Sequence, residues 1–169
     1  MKKSLFSLLV FFAIAVTAQS RFGYISYKEV VKALPEYSIV EAHLDELQAM
    51  YEAEIERADR EFNQKYADFI EEQDKFPDNI RIKRHKELQE LMEKAIAFKS
   101  EVSSAMRKAR QEMLNPLYDK VDEAVKKVCI DGNFDYILDS DKRVYLTINP
   151  RSGHDVTKQV KNSLGVDIE

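Results

Sequence analysis

From Glu36 to Phe76 apolar side chains recur at Tyr37, Val40, Leu44, Leu47, Tyr51, Ile55, Ala58, Phe62, Tyr66 and Phe69, always three or four residues apart. That is the spacing of one helix face. The same rhythm resumes at Leu88, Met92, Ala95, Phe98, Val102, Met106, Ala109, Met113, Leu117 and Val121. No glycine interrupts the chain between Gly23 and Gly132, so the pattern predicts two long helices with one stop at "FPDN", residues 76–79. Positions paired across that stop add to a nearly constant total: Phe69 with Leu88, Phe62 with Ala95, Ile55 with Val102, Tyr51 with Met106, Val40 with Leu117. An antiparallel hairpin demands this, and the expectation is knobs-into-holes packing over residues 36–116 with the tip near 77–79. A proline inside a helix costs about 3 kcal/mol. Pro116 is paired in this register with the start of the first arm, and is read as a kink where the arm meets a body.

The ends of the chain follow another pattern. "RFGYISY" (21–27) and "FDYILD" (134–139) are aromatic and β-branched, and "VYLTI" (144–148) follows across the turn "SDKR". "KEVVKALPEY" predicts a short helix ending before Pro35. Val156, Val160 and Leu164 share one face of a last helix from about Asp155 to Leu164. Three short strands enclose little core and leave edges open. Residues 19–35 and 117–169 are therefore expected to form a small β-containing body that associates with other copies. The expected interface is Phe22, Tyr24, Ile25, Tyr136, Ile137, Leu138, Val144, Tyr145 and Leu146. The fold class is α+β, predominantly α.

The first residues indicate where such a protein works. "MKKSLFSLLVFFAIAVTA" has two lysines, an apolar run from Leu5 to Val16 and small residues to Ala18. This is the layout of a secretory signal peptide, with cleavage expected after Ala18. The run falls short of the roughly 20 apolar residues that span a bilayer, so no stable membrane insertion is expected after cleavage. The chain has 30 acidic and 26 basic side chains, a net charge of −4, a balance that excludes a coat for nucleic acid. Charge also divides between the arms. Acidic side chains outnumber basic ones 13 to 4 over residues 36–76, and basic outnumber acidic 12 to 8 over residues 80–129. Opposite signs favour pairing of unlike arms, with "RIKRHK" (81–86) expected opposite Glu71, Glu72 and Asp74. Cys129 is the only cysteine. It offers no internal disulfide and reads as a small buried hydrophobe.

Candidate chemistry is sparse. His43, His85 and His154 are isolated, and no pair has the spacing for one metal. "DGNFD" (131–135) lacks the glycine and distal glutamate of a calcium loop and reads as a helix-to-strand turn with Gly132 as the stop. There is no phosphate loop or nucleophile motif. Neither an enzyme nor a cofactor is expected. Met50, Ile70, Phe76, Ile80, Ile82, Leu91 and Ile96 fall off the seam or at the tip. A spacer or adaptor of the cell envelope needs polar flanks, whereas a protein that holds unfolded chains needs such scattered apolar contacts. A lipid- or surface-binding protein is a third, weaker reading.

The leader, "FGYIS", "LPEY" ahead of a charged hairpin, "LNPLYDKVDEAVKKV" and "FDYILDSD…VYLTI…DVTKQVKNSLG" together resemble the Skp/OmpH family of periplasmic chaperones. The resemblance covers essentially the whole chain after the leader, and its ends are the specific part. It implies a homotrimer with a β-barrel body at the three-fold axis and helical hairpins around a cavity. It also implies a periplasmic, ATP-independent holdase for unfolded outer-membrane proteins. The better-known members are strongly basic and this chain is acidic, so no basic site for lipopolysaccharide is assigned.

Overall fold

The computed structural model describes residues 20–142, 148–149 and 151–166. The expected leader and the segment containing Val144, Tyr145 and Leu146 lie outside them. In chain order the elements are β1 (Phe22–Ile25), α1 (Tyr27–Ala33), α2 (Pro35–Glu72), a 3-10 turn (Gln73–Lys75), α3 (Asp78–Asp131), β2 (Tyr136–Asp139), β3 (His154–Asp155) and α4 (Thr157–Ser163). The chain divides into two compact units. One is Val31–Lys120, and the other combines the residues up to Val30 with those from Val121 onward.

In the first unit, α2 and α3 run 38 and 54 residues. Pro35 opens α2 at its first turn, where a missing N–H costs nothing and the fixed φ is already helical. The helix ends as expected near the tip: Gln73–Lys75 tightens into 3-10 geometry and Phe76 turns extended at φ −81°, ψ 136°. Extended backbone is what the residue before a proline prefers. The Pro77 carbonyl then accepts bonds from the N–H groups of Ile80 and Arg81, both at 2.9 Å, and starts α3. Pro116 lies inside α3 without ending it. Leu114, Leu117 and Val121 around it are buried, and their packing offsets the lost hydrogen bond.

Partners across the arms run in opposite directions. Lys120 bonds Glu36 at 2.6 Å, Arg110 bonds Glu41 at 2.8 Å, and Lys99 bonds Asp59 at 2.9 Å. In each pair the acid is on α2 and the base on α3, the polarity read from the sequence. The Lys120 hydrogen bond holds the Glu36 carboxyl below the usual carboxylate range. The basic run behaves otherwise. Arg81 pairs with Asp78, Arg84 with Glu87 and Lys86 with Glu90, all on α3. A partner one turn away on the same helix is always in reach, so it prevails over the expected acids of α2.

The seam is also differently placed. Leu44, Leu88, Leu117 and Val121 are buried and most other seam positions are half-buried, as two lone helices permit, but Tyr66 and Met92 are exposed. Leu91 is half-buried in place of Met92. Tyr51 meets the ring of Phe98 at 6.5 Å where Met106 was expected, and Phe69 meets His85 at 6.4 Å. Apolar residues every three or four positions match nearly as well after a shift of one turn. Periodicity therefore selects the faces and not every opposite pair.

In the second unit a three-stranded sheet has the order β2-β1-β3 with both pairings parallel. Phe22 to Ile25 pair with Tyr136 to Asp139, and Gly23 and Tyr24 pair with His154 and Asp155. Ile25, Val30, Val121, Ala124, Val128, Phe134, Val156 and Val160 form its core. The Asp141 carboxylate accepts from the Ser26 hydroxyl at 3.0 Å and the Lys28 N–H at 2.6 Å, satisfying an unbonded donor at the start of α1. α4 starts at Thr157 rather than Asp155, whose carboxylate accepts from the Thr157 N–H.

Gly132 does stop the region where α3 becomes strand, but for a steric reason. A Cβ there would lie 2.4 Å from Phe134 Cε2 and 2.8 Å from the Val128 carbonyl oxygen. Gly132→Ala should lower stability by about 2 kcal/mol, in the range for overpacked positions. The urea midpoint of the full chain measures it, and an unchanged midpoint would show that Phe134 yields without cost.

Candidate interaction surface on the helical hairpin

Of the seven off-seam residues, Met50, Ile70, Ile82 and Ile96 are exposed, Ile82 the most at 69%. Phe76, Ile80 and Leu91 are half-buried. Exposed Ile39, Tyr66 and Met92 join the apolar surface and were not singled out by the sequence pattern. Tyr66 and Met92 were absorbed into the seam because their spacing fits it.

These side chains are not scattered evenly. The Lys99–Asp59 bond marks one flank of the hairpin. Tyr66 lies two helical turns beyond Asp59, and Met92 two turns before Lys99, so both continue that flank toward the tip. Ile70 and Ile96 follow them by one further turn on their own helices. Tyr66 is braced from behind by Phe62, ring on ring at 6.0 Å. Tyr66, Ile70, Met92 and Ile96 thus form an exposed apolar strip on the outer hairpin. The other flank carries a groove between α2 and α3. Phe69, Phe76, Leu88 and Leu91 line it, with a charged rim of Lys65, Asp68, Glu72, Arg84, Glu87, Glu90 and Lys94.

The expected body interface is divided in the same way. Phe22 stacks on exposed Tyr136 at 5.7 Å. Ile25 is buried in the unit's own core. Tyr24, Ile137 and Leu138 are half-buried and line a shallow hollow with Ile148. β2 and β3 each pair with β1 alone among the described residues, so each presents an outer edge.

No group of three His, Cys, Asp or Glu among the described residues is placed to hold a metal ion. His85 and His154 lie against the rings of Phe69 and Phe134. Cys129 is half-buried, its thiol donating to the Phe134 carbonyl at 3.3 Å.

Residues 21–164 match the family described as outer membrane protein (OmpH-like). The chain belongs to the OmpH-like family. No curated protein matches it. The OmpH-like family is one of periplasmic chaperones acting on outer-membrane proteins, not of enzymes. Among the described residues no helix is long and apolar enough to cross a membrane.

Proposed function

We propose that this OmpH-like protein is an ATP-independent periplasmic holdase. It binds unfolded outer-membrane proteins between helical hairpins contributed by several copies and prevents their aggregation. The strip of Tyr66, Ile70, Met92 and Ile96 carries this reading. A spacer gains nothing from four large apolar side chains in water, whereas an unfolded chain offers them apolar partners. Each contact supplies about 1 kcal/mol, by removing some tens of Å² from water. Binding is then firm only when several hairpins close on one client, since linked weak contacts multiply. We also propose that copies assemble as a homotrimer through the sheet unit. The outer edges of β2 and β3 and the hollow beside Tyr24, Ile137 and Leu138 support it.

The test replaces Tyr66, Ile70, Met92 and Ile96 together by serine. All four are exposed, so helix content by circular dichroism should hold. Suppression of aggregation of a urea-diluted outer-membrane β-barrel protein should fall by about tenfold in the concentration needed. Equal protection would move the client elsewhere and favour the spacer reading of the strip.

A further inference from the structure

The groove on the flank away from Tyr66 and Met92 has a volume of about 440 Å³, within the roughly 300–1,000 Å³ of small-ligand sites. It opens where the hairpin is least tied. Beyond Lys99–Asp59 toward the tip, every ion pair among the described residues joins positions of one helix. The rim carries little net charge toward a ligand. Arg84 is bonded to Glu87 at 3.0 Å, Lys65 to Glu61 at 2.9 Å, and Glu90 pairs with Lys86. Asp68 and Glu72 beside them repel an anion. The floor of Phe69, Phe76, Leu88 and Leu91 is apolar and presents two aromatic rings.

We propose that this groove is a second binding site, a cleft that takes one bulky uncharged side chain, aromatic above all, of an unfolded polypeptide between α2 and α3. It rests on the holdase reading for its natural ligand, and it differs from the strip in face, depth and chemistry. The strip offers an open apolar surface to any segment. The cleft accepts a single projecting ring, with backbone held outside by the charged rim. Its volume suits one such ring, and the near-neutral rim neither attracts an anionic headgroup nor rewards a charged side chain.

The chain contains no tryptophan, so a capped tripeptide of threonine, tryptophan and threonine supplies the only indole fluorescence when mixed with the full chain. The emission should shift to the blue and saturate. The same peptide with phenylalanine should compete, and that with aspartate should not. Leu91→Phe, which fills the groove, should weaken binding by about tenfold. Phe76→Ser, at the turn where folding is least at stake, should do likewise with helix content unchanged. Binding that is absent, or indifferent to both substitutions, overturns the cleft, whatever the aggregation assay gives. Binding lost in both variants while the wild-type chain fails to protect the denatured β-barrel protein upholds the cleft and removes the holdase reading.

Discussion

A chain in which residues 60–98 are replaced by a short glycine-rich turn should keep the mass of the wild-type oligomer and lose essentially all protection of an unfolded β-barrel protein. The cut leaves the Lys99–Asp59, Arg110–Glu41 and Lys120–Glu36 bonds in place. The shortened arms keep their seam from Leu44 to Val121, with its most buried side chains apart from Leu88. It removes Tyr66, Ile70, Met92, Ile96 and the groove together. Because holding multiplies over linked contacts, losing them from every copy should cost far more than any single substitution. Light scattering of client mixtures without ATP reads the result. Equal protection by the shortened protein would make the arms spacers.

Ile137→Asp should split the oligomer into smaller species at micromolar concentration. Ile137 is half-buried on β2, beside Tyr24 and Leu138. A carboxylate left unpaired in an apolar contact costs about 3–5 kcal/mol. In a symmetric assembly the substitution recurs in every copy. Ile82→Asp is the control: it places the same charge on the most exposed off-seam residue of α3 and should leave the mass unchanged. A wild-type monomer, or an Ile137→Asp protein of undiminished mass, would end the trimer proposal.

The helices were legible because nothing competes with them: no glycine, and an apolar step of three or four sustained for some forty residues on each arm. Their opposition in charge was legible for the same reason, being a property of whole arms. The finer placement was not. Leu88, Leu91, Ala95 and Phe98 space as well as Leu88, Met92 and Ala95, and only packing against α2 chooses between them. β3 left no trace because His154 and Asp155 are two polar residues that pair through backbone alone. The groove depends on how far two helices part near their turn, a distance that no pattern of residue types encodes. Exposure of Ile82 and Ile96 needed only their position off the seam, and there sequence sufficed.

The parallel pairing of β1 with β2 sets an order of events during synthesis and export. Arg21 and Asp135, which bond at the head of that pairing, are 114 residues apart, and the two long helices lie between them in the chain. Contacts so distant in sequence form late, because the loop must close before they contribute. The hairpin, built from local turns and a neighbour just across one bend, can zip while the C-terminal third is still emerging. Strand Phe22–Ile25 reaches the far side first and waits longest, edges bare, for a partner that arrives almost last. In this chain the segment most exposed to mispairing is the first one delivered.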